Sequence, residues 1–275
     1  MTAGGEAYHG VDFSGGSRHR LKIQVSALLE GSPASVRGGL SHAELVDMIA
    51  RSAGDGRRHV YLIDSAFGLP LEMLELQGVE PRWTAALEWM ASFPSPRDWR
   101  RTARERSRKE LRRASDRLAR TPLPPANLRM FRQTWHAMVS VLRPLLGMPG
   151  VAVLPFGAVG ERPAGAGAAA WREAAVWAGE GCPSSSLQAA GWPHRGYKGP
   201  SEKSRDLRRD LLARLERMEG LLIDPAAAVR AVEDEEGDVL DSLILLPAAR
   251  RFARADHAAV LAREPRAAVE GWVYT

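Results

Sequence analysis

The sequence predicts an α/β protein, because predicted strands alternate with predicted helices along most of the chain. Three strands are expected near the N-terminus, over residues 8–12, 21–29 and 34–37. A helix follows them, and the apolar run 59–64 (HVYLID) is then typical of a buried central strand. Strands connected through helical crossovers are the pattern of α/β proteins.

The first helix has the clearest local signal. Ser41 is expected to be its N-cap, and Glu44 stands three residues later, which is the capping-box arrangement. Leu45 and Ile49 fall on one face of this helix. The helix is expected to end near Gly54.

The middle of the chain, residues 81–147, is predicted to be a helical, arginine-rich insertion. Helices are expected over 81–93 and 127–146. Between them, residues 97–120 carry eleven Arg and Lys against four Asp and Glu. Such a stretch can hold a phosphate backbone, but a solvated helix face is the commoner role of a charge run. The sequence leaves both interpretations open.

The remaining elements complete the α/β pattern. Strands are expected at 151–156 and 174–179, a Gly/Ala/Pro loop at 157–170, helices at 201–219, 225–233 and 239–253, and an edge strand at 269–274. Pro247 lies inside the last of these helices and is expected to kink or end it. No internal repeat is found, and residues 1–275 are predicted to form a single domain.

Composition narrows the class of protein. The chain has 275 residues, 45% of them hydrophobic, and one cysteine, Cys182. A single cysteine excludes an internal disulfide framework and a multi-cysteine zinc site. No run approaches the roughly 20 apolar residues of a membrane span, and the N-terminus lacks the pattern of a signal peptide. A cytoplasmic protein is expected, and its net charge of +5 favours polyanionic partners.

Two aspartates stand at the ends of predicted strands. Asp12 closes the first strand and Asp64 closes the HVYLID strand. Ligands bind at the carboxyl ends of strands in α/β sheets, and carboxylate oxygens suit Mg²⁺ or Mn²⁺. The alternative for Asp12 is ordinary turn chemistry.

Three further acids are candidates. Asp238 and Asp241 are three residues apart on a predicted helix, so their side chains share one face. The alternative is that Asp238 is the N-cap and Asp241 the capping-box acid. Glu180 follows a predicted strand, and its alternative is a surface position.

The sequence lacks the motifs of most other classes of enzyme. The chain has no HExxH spacing, no P-loop and no G-x-S-x-G elbow. Its seven histidines are scattered along the sequence. A zinc hydrolase, a P-loop nucleotide hydrolase and a serine hydrolase are therefore not expected.

Several segments resemble the motifs of an uncharacterised bacterial and archaeal family of predicted nucleases with an RNase H-like fold, a domain of unknown function. The matching segments occur in the family's order along nearly the whole chain: 10–16 (GVDFSGG), 62–70 (LIDSAFGLP), 127–134 (NLRMFRQT), 180–183 (EGCP), 197–199 (YKG), the helix with Asp238 and Asp241, and 270–274 (EGWVY). The acids also resemble those of Holliday-junction resolvases, which use paired acids on the last helix.

The resemblance implies an RNase H-like mixed sheet whose first three strands are antiparallel. It implies that acids from strand one, strand four and a late helix converge on Mg²⁺ or Mn²⁺. The implied metal ligands are Asp12, Asp64, Asp238 and Asp241, and Glu180 is a further catalytic candidate. The implied phosphate contacts are Arg129, Arg132 and Lys198.

The function expected from the resemblance is a metal-dependent nuclease or phosphodiesterase that acts on DNA or RNA. Two divalent ions about 4 Å apart would activate a water molecule and stabilise the leaving oxygen. A second reading is an actin-like phosphotransferase that uses ATP, because residues 12–16 also resemble a phosphate-binding turn, although no second domain copy is seen. A third reading is a non-catalytic scaffold that binds nucleic acid or protein. The oligomeric state is left open.

Overall fold

A mixed sheet of seven strands forms the centre of the computed structural model, which describes residues 4–15, 22–107, 109–160 and 171–275. The strands are β1 (Gly4–Asp12), β2 (Ile23–Leu29), β3 (Ser35–Leu40), β4 (Arg57–Asp64), β5 (Val151–Val153), β6 (Val176–Gly181) and β7 (Val273–Tyr274).

The strand order is β3-β2-β1-β4-β6-β5, and β7 also pairs with β6. The pairs β1–β2 and β2–β3 are antiparallel. The pairs β1–β4, β4–β6, β5–β6 and β6–β7 are parallel. The predicted α/β class and the predicted antiparallel start of the sheet are both confirmed.

Helices flank the sheet. Those before β5 are α1 (His42–Ser52), α2 (Leu71–Gln77), α3 (Trp83–Ala91), α4 (Pro96–Glu105), α5 (Ala114–Leu118), α6 (Phe131–His136) and α7 (Arg143–Leu145). Those after β5 are α8 (Pro183–Ala189), α9 (Glu202–Glu219), α10 (Pro225–Glu233), α11 (Asp238–Arg254), α12 (His257–Arg263) and α13 (Ala267–Glu270). No helix in the described ranges has the length and apolar character needed to span a bilayer.

Side-chain alternation in β4 divides the core into two layers. Tyr61 and Ile63 pack in the cluster that contains α1, α3 and the middle helices. Val60 and Leu62 pack on the other face, against Phe252 and its neighbours on α11. The strand is therefore buried on both faces, as its continuous apolar sequence predicts.

Helix α11 crosses the sheet at close range over Gly10. The Ser26 hydroxyl donates to the carbonyl of Ser242 at 2.6 Å and to that of Gly10 at 3.2 Å. A Cβ atom at Gly10 would lie 2.0 Å from the Ser242 carbonyl oxygen. The absence of a side chain at Gly10 is what lets the first turn of α11 approach the ends of β1 and β4.

The first helix forms as its sequence predicts. The Glu44 amide donates to the Ser41 hydroxyl at 3.2 Å, and the Ser41 amide donates to the Glu44 carboxylate at 2.8 Å. The capping box is therefore confirmed, and α1 ends at Ser52, two residues before the expected Gly54.

Two predictions near the C-terminus agree with the structure only in part: the helix expected at 239–253 forms but does not end at Pro247, and the expected edge strand is shorter. Helix α11 continues through Pro247 to Arg254, because the neighbours of Pro247 are buried and tertiary packing holds the helix there. The expected strand at 269–274 is shortened to β7, because Ala267–Glu270 form α13.

The middle of the chain is helical, as expected, but its last helix is interrupted. It begins at Phe131 rather than 127, and a π-helical turn at Ala137–Leu142 separates α6 from α7. The strand expected at 151–156 ends at Val153, and a 3₁₀ turn follows at Phe156–Val159. Residues 16–21 and 161–170, which include part of the first motif and most of the predicted Gly/Ala/Pro loop, lie outside the described residues.

Candidate metal centre

Asp12 and Asp64 are the last residues of two adjacent parallel strands, β1 and β4. The register pairs Val11 with Ile63, so the two aspartates stand side by side at the carboxyl edge of the sheet. Asp12 lies two residues after Gly10, and Asp64 lies two residues after Leu62, so each points to the same face of the sheet as that earlier residue. Gly10 and Leu62 both face α11. Both carboxylates therefore project toward the first turn of α11.

Helix α11 supplies the third carboxylate, Asp241. Within the described part of the chain, Asp12, Asp64 and Asp241 form a group in which one oxygen from each lies within 4.8 Å of the others. Asp12 and Asp241 are buried and Asp64 is partly buried. We call these three residues the acidic cluster.

Asp238 lies at the edge of the acidic cluster and is not one of the three. It is the first residue of α11, and its carboxylate oxygen is 3.8 Å from the ammonium of Lys198. Of the four predicted metal ligands, the fold thus brings three together and leaves the fourth nearby.

The capping-box alternative for this helix start is wrong. The N-cap of α11 is Gly237, with φ of 75°, a conformation that favours glycine. The Asp234 carboxylate accepts a hydrogen bond from the Val239 amide at 2.8 Å. Because Asp234 satisfies that amide, the Asp238 and Asp241 side chains are not used as caps.

Burial and mutual repulsion strongly perturb the acids. Burial, followed by repulsion from Asp241, Asp238 and Asp64, raises the pKa of Asp12 well above its usual range. Burial and the Asp241 carboxylate raise the pKa of Asp64 to about 8. Burial raises the pKa of Asp238 to about 6 against the opposing effect of Lys198. A bound cation would favour the ionised forms of all these groups.

Two neighbours from the segment before α9 contact Asp241. The Tyr197 hydroxyl donates to Oδ1 of Asp241 at 2.7 Å, and Nζ of Lys198 lies 2.6 Å from Oδ2. Burial lowers the pKa of Lys198, but the Asp241 carboxylate outweighs this and raises it above its ordinary value. Lys198 was expected to contact phosphate, and in the structure its ammonium pairs with the acids.

Glu180 lies inside β6 with the opposite strand parity to Asp64, and it is not one of the three acids of the cluster although it lines the same cavity. The register pairs it with Ile63, whereas Asp64 pairs with Gly181. Because side chains alternate along a strand, Glu180 projects with Ile63 into the layer of the middle helices. The expectation that β6 would stop at Gly179 and leave Glu180 after the strand is wrong.

Arg113 occupies both oxygens of Glu180. Its guanidinium donates to Oε2 of Glu180 at 2.6 Å and to Oδ1 of Asp116 at 2.8 Å, and all three residues are buried. The Phe67 amide also donates to Glu180, at 2.9 Å. Burial raises the pKa of Glu180, while Arg113 opposes the shift. This ion network holds β6 to the middle helices.

The sequence prediction missed Arg113, Asp116 and Tyr197. Arg113 and Asp116 lie in the basic stretch 97–120, where no sequence pattern distinguishes a buried arginine from the exposed ones around it. Tyr197 belongs to the YKG segment, but its contact with Asp241 joins residues 44 positions apart. Local patterns do not encode such pairs.

A cavity of about 860 Å³ opens over the acidic cluster. Arg129, Arg132 and Lys198, the three expected phosphate contacts, line it, and the first two are exposed. From the basic stretch 97–120, the described residues that line the cavity are Arg113 and Asp116.

Other arginines of that stretch are used in local contacts. Arg101 pairs with Asp98, and Arg106 donates to the Leu76 carbonyl. Arg112 donates to the Thr121 carbonyl. These contacts favour the solvated-face interpretation of the stretch over the phosphate-binding one.

The chain matches no family model, no curated protein and no solved structure in comparisons with all three. The class that the fold and site define is an α/β protein with a mixed sheet and a carboxylate cluster at the carboxyl edge of that sheet.

Proposed function

We propose that the protein is a metal-dependent phosphodiesterase of the RNase H-like superfamily that acts on nucleic acid. Asp12, Asp64 and Asp241 would hold Mg²⁺ or Mn²⁺, with Asp238 beside them. The observation that carries the proposal is the convergence of three carboxylates, distant in sequence, to within 4.8 Å.

The donor set fits such an ion. All three side chains offer hard oxygen atoms, which Mg²⁺ and Mn²⁺ prefer over nitrogen or sulfur. Buried carboxylates at this separation repel one another, and the raised pKa of Asp64, about 8, follows from burial and that repulsion. A divalent cation offsets the repulsion and lets the three groups stay ionised.

The placement of the acids supports the RNase H-like part of the proposal. Asp12 ends the first strand, Asp64 ends the fourth, and Asp241 lies on a late helix. This is the arrangement that the motif resemblance implies, and the antiparallel start of the sheet agrees with it. The single buried cysteine fits our further proposal of a cytoplasmic location.

In the proposed reaction, the acids and the arginines of the site have different roles. A bound divalent ion supplies Lewis acidity at a phosphoryl oxygen and a more acidic water. The acidic cluster would hold the ion. Arg129 and Arg132 line the same cavity, and they would contact phosphate groups of the substrate and so orient the scissile ester over the acids.

Paired measurements of binding and cleavage test the proposal. Mn²⁺ binding is measured by calorimetry, and hydrolysis is measured on bis(p-nitrophenyl) phosphate and on single-stranded DNA, duplex DNA and RNA. D12N and D64N are expected to lose Mn²⁺ binding and metal-dependent hydrolysis together while remaining folded. The matched control is D47N, which makes the same change at an exposed position of α1.

Each readout can contradict a separate part of the proposal. Undiminished Mn²⁺ binding in both D12N and D64N would remove the metal centre. Binding that depends on these aspartates, without hydrolysis of any of the substrates, would overturn the enzymatic part and leave a metal-binding scaffold.

A further inference from the structure

We infer that Lys198 is a permanent cation of the site, and that the acids consequently take one divalent ion rather than two. The inference rests on the proposed function and concerns how the metal centre is built. Its basis is the position of the ammonium, 2.6 Å from Oδ2 of Asp241 and 3.8 Å from Oδ1 of Asp238. Nζ thus lies between the two acids of α11.

Hydrogen bonds to the main chain on both sides of Lys198 fix its backbone, from which the half-exposed side chain reaches the acids. The buried Arg208 donates to the carbonyl of Tyr197 at 2.7 Å and to that of Gly199 at 3.0 Å. The same guanidinium donates to the carbonyl of Val232 at 2.7 Å. The Gly199 amide donates to the Glu235 carbonyl at 2.7 Å. The segment that carries Lys198 is therefore attached to α9 and to the loop before α11.

The start of α11 is shaped to accept this segment. A Cβ atom at Gly237 would lie 3.2 Å from Cγ of Lys198 and 3.3 Å from the ring of Tyr197. The positive φ of Gly237 also favours glycine. The Lys198 side chain thus packs against the N-cap of the helix that carries Asp238 and Asp241.

The occupied oxygens of Asp241 decide how many ions fit. Oδ1 accepts from Tyr197 and Oδ2 contacts Lys198. Each carboxylate oxygen has two lone pairs, so Asp241 can still share one ion with Asp12 and Asp64. A second ion between Asp238 and Asp241 would occupy the place of Nζ, where the two positive charges would repel each other.

The stoichiometry of Mn²⁺ binding tests the inference, by calorimetry and by electron paramagnetic resonance on the full chain. Wild type is expected to bind one ion. K198M keeps most of the apolar stem but removes the charge, and it is expected to bind two. K198M/D238N is expected to return to one ion, because the second ion needs Asp238. K198R, which keeps the positive charge, is expected to bind one.

The matched control is K203M, which makes the same change at an exposed lysine of α9 and should bind one ion. Two ions in wild type would overturn the inference and leave the proposed metal centre intact. One ion in K198M, at wild-type affinity, would also overturn it. No ion in wild type would remove the proposed metal centre itself. Should K198M fail to fold, K198Q, which also removes the charge, takes its place and is likewise expected to bind two ions.

Discussion

The side chains of Asp64 and Glu180 lie on opposite faces of the sheet, although their strands are parallel neighbours. Asp64 faces α11 and joins the acidic cluster, whereas Glu180 faces the middle helices and pairs with Arg113. Side chains alternate between the two faces of a sheet, so a shift of one residue along the strand gives the two acids different surroundings. Asp64 lies among the other acids, whereas Glu180 is paired with the buried Arg113.

We expect Glu180→Gln to weaken the fold and to spare the metal centre. Loss of one partner leaves Arg113 undercompensated, and breaking a buried pair in this way costs about 3–5 kcal/mol in the free energy of unfolding. Urea denaturation measures the cost, and calorimetry on the folded variant should find wild-type Mn²⁺ stoichiometry. The matched control is Glu216→Gln on the exposed face of α9, and failure of folded E180Q to bind Mn²⁺ would place Glu180 in the metal centre.

We expect Gly10→Ala to destabilise the protein by about 1–3 kcal/mol or more, as overpacking does. The new methyl group would overlap the Ser242 carbonyl oxygen and push α11 off the sheet. Because α11 carries Asp241, Mn²⁺ affinity should fall as well. Gly147→Ala is the control, since a Cβ there meets nothing within 4 Å. Equal stabilities for the two variants would contradict the close approach of α11.

We expect the ionisation of Asp64 to destabilise the metal-free protein as pH rises from about 4 to about 8. The buried His9 and His257 and the partly buried His136, whose pKa values are lowered to between about 3 and about 4, act in the opposite direction, so the effect of Asp64 is measured against a variant that lacks it. The pKa of Asp64 is about 8 in the folded state, against about 3.9 in an unfolded chain. Between these values Asp64 is protonated in the folded protein and ionised in the unfolded chain, so raising the pH costs this one site up to a few kcal/mol of stability.

Unfolding in EDTA and in Mg²⁺ at pH 5 and pH 8 measures this effect. Mg²⁺ should restore stability at pH 8, because it compensates the ionised acids. D64N should show a smaller pH dependence in EDTA, because its amide does not titrate in this range. A D64N variant whose stability in EDTA changes between pH 5 and pH 8 as much as that of wild type would show that Asp64 is not held in the proposed environment.

We expect Arg129→Ala and Arg132→Ala to raise KM for a nucleic-acid substrate and to leave Mn²⁺ binding unchanged. Removing one arginine–phosphate interaction should reduce the salt dependence of substrate binding by about one in the log–log slope. Arg117→Ala is the control, because Arg117 is exposed on α5 and belongs to the basic stretch outside the cavity. Salt slopes equal to that of wild type in the first two variants would remove both arginines from the substrate path.

Local sequence patterns predicted the features that depend on local physics. The capping box of α1 and the buried character of β4 follow from residues close in sequence. The strand-end positions of Asp12 and Asp64 were predicted for the same reason. Two acids at the carboxyl ends of strands become a site only when those strands are neighbours, and the β1–β4 pairing provides this.

Features that depend on long-range register were not predictable from the sequence. The face occupied by Glu180 depends on where β6 ends and on how it pairs with β4. The continuation of α11 past Pro247 depends on burial against the sheet, which outweighs the local preference of proline. The partner of Lys198 lies 43 positions further along the chain, on a different element.

The acidic cluster joins the beginning of the polypeptide to its last third, and this has a consequence during synthesis. Asp12 and Asp64 leave the ribosome long before Asp241 is translated. A nascent chain thus carries two unneutralised acids at an unfinished sheet edge until α11 docks. In the proposed metal centre, Mn²⁺ binding that needs Asp241 would then appear only after α11 has been translated and has docked on the sheet.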